Sequence, residues 1–565
     1  MRVLGGVSAA PGAAIGAPWI YRAPSSRGED RLDLGEATKA AEAELVALAD
    51  RLRHAGRAED AGILDAQALM AHDPELIGGA RRRIRDGAAA SAAILAEGEA
   101  QAAALSALDN EIVAARAVDV RDVAQRIARA IRGDVGPRLE RPSVAVAADL
   151  PPSVTVELDQ ELLLGIALEA GSPTAHAAIL ARALGIPAVV GVAGLLDAAS
   201  DANSLGVDGT GGAVTIDPDG AARERLEAVL AEQRERRAAD AQLRATPLAT
   251  RDGHRITLLA NIGRPEEAPL ASAAGAEGIG LFRTEFMFMG RSSAPTVAAQ
   301  AEAYAAALAP FVGRPVVIRT LDVGGDKQLP YLAQEPEGNP FLGLRAIRLA
   351  EHNREVLVAQ LRAILKAAAR SKAETWIMAP MVADLGDVAL VRALLAEAAV
   401  DPEDSAPRLK VGIMVELPAA AIVADQLAGA VDFFSIGTND LTQYLLAADR
   451  TNPSLALRQD PMHPAVLRSI RAVVEAGHAA HIPVAVCGEM AGDPVGAVTL
   501  AGLGVDELSM DPGSFGSVKR ALDAVTQAEA ERVAARACDA RSAADARRMV
   551  ADIALGLAAG GSSHD

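Results

Sequence analysis

The feature that most constrains this chain is a series of eight short apolar runs in its second half. They are RITLLANI, GIGLFR, VVIRTLDV, TWIMAPM, KVGIMVEL, FFSIGTND, VAVCGEM and ELSMDP. Between most of them lie Ala-, Leu- and Arg-rich stretches long enough for a helix. A strand followed by a helix, repeated eight times within about 310 residues, is what a (β/α)8 barrel requires. The runs also end alike, on polar or reactive residues: Asn261, Arg283 and Glu285, Arg319 and Asp322, Glu416, Asn439 and Asp440, Cys487 and Glu489. Barrels of this kind carry their active sites at the C-terminal ends of the strands. A doubly wound sheet is the competing architecture, and it ranks second because no dinucleotide fingerprint accompanies the units.

The residue types at those ends define a chemistry. Arg283, Arg319 and Arg450 offer guanidinium groups that bind phosphate or carboxylate in bidentate fashion. Glu416 and Asp440 are two hard carboxylates of the kind that hold Mg²⁺ together with substrate oxygens. Each residue taken singly reads as a rim ion pair; six of them on one rim read as a site for a small, highly anionic phosphorylated ligand. Cys487 ends a buried-type strand among these arginines, where a thiol serves as a proton donor. Cys538 lies in a helical tail and reads as a small inert hydrophobe.

The first half has a different texture. About twenty residues of short apolar runs broken by Gly and Pro give way, from Leu32 to about Gly133, to helical spacing. There Leu45, Leu48 and Leu52 share one face, and Val120, Val123, Ile127 and Ile131 another, as in a small bundle. Strand-like runs return at SVAVA (143–147), SVTVEL (153–158) and AVTID (213–217), so the helical block is inserted into an α/β domain that the N-terminus begins. GVDGTGGAV (206–214) is a hairpin turn, since neither a Lys-Ser/Thr nor a helix follows it. Within GSPTAHAAILARALGIPAVVG (171–191), a Gly/Ser/Pro turn carrying Thr174 runs into a helix start, with Ile179, Leu180 and Leu184 at helical spacing. His176 falls in its first turn, where free backbone N–H groups favour a bound anion, although a lone histidine is more often a core residue. A charged helix from Ala221 to about Arg244 connects the halves.

Composition narrows the partners. At 565 residues the chain holds three or four domains, and its net charge of −19 argues against nucleic acid and anionic membrane while suiting a partner with a basic face. With 2% aromatic residues the cores are built from Ala, Leu, Val and Ile. Two widely separated cysteines form no disulfide framework and fit a reducing compartment. The small-residue N-terminus makes a poor secretory leader, and no run of about 18 uninterrupted apolar residues marks a span. The expectation is a cytoplasmic protein.

Longer motifs carry a family resemblance: EGIGLFRTEF (277–286), IRTLDVGGDK (318–327), NPFLGLRAIR (339–348), GIMVELPAA, FSIGTNDLTQY (434–444) and CGEMAGD (487–493). With the order of segments, they make nearly the whole chain resemble Enzyme I of the bacterial sugar phosphotransferase system, the phosphoenolpyruvate–protein phosphotransferases. The resemblance implies a multidomain α/β fold. A swivelling phosphohistidine domain (1–31 and 134–220) would carry an inserted helical phosphocarrier-binding domain (32–133). A linker helix (221–249) and a TIM barrel for phosphoenolpyruvate binding and dimerisation (250–565) would follow. It implies that His176 takes a phosphoryl group from phosphoenolpyruvate and passes it to a histidine-containing phosphocarrier protein, releasing pyruvate. Arg283, Arg319, Arg450, Asn439 and Asp440 would hold the substrate, Glu416 and Asp440 would ligate Mg²⁺, and Cys487 would protonate the departing enolate. Arg345 and Lys327 match family positions nearby, and AGILDAQALMAHDPELI (61–77) resembles the carrier-binding helices. Two departures stand out: Ser172 and Ala175 replace the usual Gly and Ser before the reactive histidine, and Gln67 stands where a His is often found. The alternative is a regulatory phosphorelay paralogue or a catalytically silent docking protein, which a missing Arg, Asp440 or Cys487 would favour.

Overall fold

In the computed structural model, residues 2–554 are described except 23–28, 55–57, 107–110, 135, 172–175, 184, 244–245, 290, 292, 325–328, 330, 333–336, 400–408, 451, 453–454 and 456–457. The chain forms two compact units, Met1–Arg236 and Arg237–Asp565.

The first unit begins with β1 (Arg2–Gly5), β2 (Val7–Ala10) and β3 (Ala13–Ile20). Five helices follow: α1 (Leu34–His54), α2 (Ala58–Met70), α3 (Pro74–Arg85), α4 (Ala90–Ser106) and α5 (Glu111–Arg132). The chain then completes the α/β layer with β4 (Ser143–Ala147), α6 (Pro152–Glu157), β5 (Leu163–Leu168), α7 (His176–Ala183), β6 (Ala188–Val190), α8 (Leu195–Ser200), β7 (Leu205–Asp208) and β8 (Ala213–Ile216). Helix α9 (Gly220–Leu243) leads out of it. The eight strands form one sheet in the order β1-β8-β7-β3-β4-β5-β6-β2, so both ends of this segment of chain meet across the antiparallel β1–β8 pair.

Local chemistry sets several boundaries. Asp73 caps α3 by accepting from the backbone N–H groups of Glu75 and Leu76, both at 2.9 Å, with Pro74 in the first turn. The bundle faces seat Leu45, Leu48, Val123, Ile127 and Ile131 in buried positions, whereas Val120 is only half-buried. Leu52 and Leu184 have no described side chain. The glycine-rich 206–214 segment is the hairpin of β7 and β8, its turn held by Asp208 Oδ1 accepting from Thr210 and Gly211.

One sequence reading is corrected. SVTVEL is helix α6 and not a strand. Pro152 opens it, and Ser153 and Val154 are both fully buried, Ser153 donating to Asp122 at 2.8 Å and accepting from Arg126 at 3.1 Å. Those tertiary hydrogen bonds override the β-branched alternation. The layer's remaining strands are β5, β6 and β7, which the expected strand count omitted.

The second unit is a closed, all-parallel barrel. Its strands are β9 (Thr257–Ile262), β10 (Gly278–Phe282), β11 (Pro315–Arg319), β12 (Glu374–Ala379), β13 (Lys410–Val415), β14 (Phe434–Ile436), β15 (Val484–Val486) and β16 (Glu507–Met510), with β16 pairing back to β9. All eight expected runs are strands, and Leu281, Val317, Trp376, Met378, Met414, Phe433 and Cys487 pack together as one buried cluster. Among the described residues no helix is long and apolar enough to cross a membrane.

Candidate active site

The barrel strands deliver their polar ends to one rim. Arg319 is the last residue of β11, while Arg283, Glu416 and Cys487 lie one residue past β10, β13 and β15. Asn439 and Asp440 start the helix Thr438–Leu446, and Ala447, at φ 49°, ends that helix ahead of Arg450. Gly488 lets the Cys487 turn close against this helix, because a Cβ there would sit 2.7 Å from the Thr438 backbone nitrogen.

A buried ionic chain crosses the rim. Arg319 pairs with Glu285 at 2.6 Å and Asp322 at 2.9 Å. Asp322 also receives Arg345 in bidentate fashion, at 2.7 and 3.0 Å, and Arg345 continues to Asp440 at 3.0 Å. Asp440 is shared with Arg450 at 3.5 Å, whose guanidinium lies 5.4 Å from the centre of the Phe341 ring. Tyr444 donates to the Phe341 carbonyl at 2.6 Å and accepts from Arg345 at 3.4 Å. Among the described residues Arg283 makes no ion pair. Asn439 and Glu489 hydrogen-bond reciprocally, Glu489 N–H donating at 3.0 Å and Asn439 Nδ2 at 3.3 Å.

The electrostatics follow from burial. Burial opposes the charge on Arg319, yet Glu285, Asp322 and Glu416 outweigh it and hold the guanidinium above its ordinary pKa. Arg345 behaves likewise through Asp322 and Asp440. Glu416 is fully buried; its Oε1 accepts from the Met381 N–H at 2.7 Å and its Oε2 has no hydrogen-bond partner among the described residues. Burial, then repulsion from Asp440 and Asp322, pushes its carboxyl up to about 8. Burial also raises the Cys487 thiol, with partial relief from the Ser435 hydroxyl and then Arg319, so it stays protonated near neutrality.

The rim therefore gathers all seven expected barrel residues: Arg283, Arg319, Glu416, Asn439, Asp440, Arg450 and Cys487. His176 lies in the other unit, as the first residue of α7; its side chain and residues 172–175 fall outside the described set, as does Lys327. The sequence reading gave no part to the Met381 N–H, Tyr444 or Phe341. Met381 has φ 60°, and nothing in its residue type announces that. Gln67 is fully buried and donates to Asp119 at 2.9 Å and Asp122 at 3.3 Å, so it does not itself face a partner.

A barrel whose rim collects arginines and acids beside a thiol is the architecture of an enzyme handling a phosphorylated carboxylate. Comparisons agree: residues 237–527 match the PEP-binding domain of PEP-utilising enzymes, 139–212 their mobile domain and 5–116 their N-terminal domain. The chain is 41% identical over 495 residues to the phosphoenolpyruvate-protein phosphotransferase of Staphylococcus carnosus, covering 85% of each. With the enzyme of that name from Staphylococcus aureus it shares 38% identity over 95% of this chain and 97% of the other. It also matches multiphosphoryl transfer proteins of Xanthomonas campestris (40% identical) and Rhodobacter capsulatus (42%), and spans 66% and 59% of their lengths. The chain belongs to the phosphoenolpyruvate-protein phosphotransferases.

Proposed function

We propose that this protein transfers the phosphoryl group of phosphoenolpyruvate to His176 and then to a histidine-containing phosphocarrier protein. The observation that carries this reading is the rim on which Arg283, Arg319, Arg450 and Asn439 surround Glu416, Asp440 and a buried thiol. Arg283, Arg319 and Arg450 bind the phosphate and carboxylate of the substrate, and Asn439, held by Glu489, orients it. The P–O bond to the enolate breaks as the His176 imidazole bonds phosphorus, an in-line displacement that needs alignment and charge neutralisation above all. Cys487, kept as a thiol by burial, gives its proton to the enolate carbon to form pyruvate.

The residues fit a divalent cation, for which Mg²⁺ is our assignment. Glu416 Oε2 is a buried carboxylate oxygen with no hydrogen-bond partner among the described residues, and Glu416 is close enough to Asp440 for their charges to repel. Arg319, Arg345 and Arg450 already spend their charge on Glu285, Asp322 and Asp440, so an anionic substrate adds negative charge that a further cation would offset. A bound cation supplies that balance and neutralises the phosphoryl oxygens. Glu416 and Asp440 would hold it, and no set of three acids or His/Cys groups poised for a metal exists among the described residues.

His176 and the rim belong to different units, so we assign the linker 221–249 as a pivot. The bounds 1–31 with 134–220, 32–133 and 250–565 become the phosphohistidine, carrier-docking and barrel domains. Acidic residues of the helical block, such as Glu75 beside the Asp73 cap, suit a basic carrier. A homodimer through the barrel and a cytoplasmic location complete the reading, the latter supported by two free cysteines.

Intact-mass spectrometry after incubation with phosphoenolpyruvate and Mg²⁺ tests the proposal. An acid-labile adduct of about 80 Da on the wild type, absent from His176→Ala, is expected. Substrate binding without an adduct on the wild type overturns it in favour of a silent regulator.

A further inference from the structure

A second ionic cluster lies outside the rim. Arg547, in the C-terminal helix Ala543–Ala554, grips Asp460 with Nε at 3.0 Å and Nη2 at 2.8 Å, and reaches Asp493 with Nη1 at 2.5 Å. Both acids also organise backbone. Asp460 Oδ1 accepts from the Met462 N–H at 3.0 Å, and Asp493 caps the helix Pro494–Gly502 by accepting from Val495 at 3.2 Å.

The two acids lie in the stretches that follow two of the seven rim residues, Arg450 and Cys487. Asp460 lies ten residues after Arg450, and its neighbour Gln459 donates to the carbonyl of Ala448, two residues before Arg450, at 3.3 Å. Asp493 ends the turn that begins at Cys487 and contains Glu489, the partner of Asn439. Arg547 is the single cation that joins both acids among the described residues. It is roughly two-thirds covered, and its side-chain hydrogen bonds among the described residues go to Asp460 and Asp493. A planar guanidinium with five donors holds two carboxylates at a fixed separation, which a lysine does not.

We propose that Arg547 is a positioning residue that sets the separation between the Arg450 loop and the Cys487 turn. Through it the C-terminal helix governs how phosphoenolpyruvate is seated against its proton donor. This rests on the substrate-site reading above.

The test compares wild type, Arg547→Lys and Arg547→Met as full chains. Two readouts are taken: the dependence of His176 phosphorylation on phosphoenolpyruvate concentration, and the alkylation of Cys487 by iodoacetamide, followed by peptide mass. Removing the clasp in Arg547→Met is expected to raise KM for phosphoenolpyruvate about ten-fold, with a smaller change in kcat. Cys487, almost wholly buried in the wild type, should react several-fold faster, while Cys538 should not change. Arg547→Lys should fall between the two. Wild-type KM and alkylation in Arg547→Met would overturn the inference, as would Lys and Met variants that lose activity equally with KM unmoved. If Arg547→Met does not fold, Arg547→Lys decides: wild-type KM and alkylation there overturn the inference, and a raised KM with faster Cys487 alkylation supports it. If the wild type itself takes no phosphate, the substrate reading fails, and the alkylation arm still reports whether the clasp sets the Cys487 turn.

Discussion

At Glu416 a fully buried carboxylate faces Asp440 and Asp322 with one oxygen unpartnered. Its folded pKa of about 8 stands above the ordinary 4.5, so the folded protein retains a proton that the unfolded chain loses. Without metal, the contribution of this group to stability is therefore fully present below about pH 4.5 and is lost as pH rises towards 8. Glu416→Gln should stabilise the metal-free protein by about 1–3 kcal/mol at pH 8 in urea unfolding. The same change should slow phosphoenolpyruvate-driven labelling at least about 100-fold. A variant that is more stable and inactive is the signature of a residue kept for function. Equal stability with full activity would sink this account.

At the scale of the element, β16 opens on Glu507, which is buried near the start of the strand rather than at the rim. Burial and then Asp506 push its carboxyl up to about 7, while Lys410, at the head of β13 and 4.2 Å over the Trp376 ring, pulls it back. Folding thus favours the protonated form, and stability falls as pH rises from about 4.5 to about 7. Glu507→Gln should remove that slope, gaining about 1–3 kcal/mol over wild type at pH 8 and little near pH 4. Unfolding midpoints at the two pH values check it, and labelling of His176 should be unchanged. Helix α6 shows the opposite limit of legibility at this scale. Its V-T-V alternation reads as a strand, whereas Pro152 opens a helix there and Asp122 and Arg126 of α5 hold its Ser153.

For the whole molecule, the proposed function divides the work between the two units: the barrel binds phosphoenolpyruvate and protonates the enolate, and His176 of the other unit accepts the phosphate. His176→Ala should bind phosphoenolpyruvate within about two-fold of the wild-type affinity by calorimetry while taking no label. Arg283→Met should lose substrate-driven labelling, yet its His176 should still accept phosphate backwards from a phosphorylated carrier. A His176→Ala chain that fails to bind substrate would show that the units do not divide the work this way.

The barrel, its eight strands and the seven polar residues at their ends are legible from sequence alone. Strand period, turn spacing and the position of a residue relative to a strand end are local properties. The helical block is legible for the same reason. What the tertiary structure decided is how those residues spend their charges. Arg319, Arg345 and Arg450 meet Glu285, Asp322 and Asp440 across gaps of up to 95 residues, and Gln67 turns inward to Asp119 and Asp122. The Met381 N–H that fixes Glu416 and the Arg547 clasp on Asp460 and Asp493 have no signature in residue type. Local pattern fixes which groups reach the rim; desolvation and long-range pairing, which exist only once the chain has closed on itself, fix which of them remain free for a ligand.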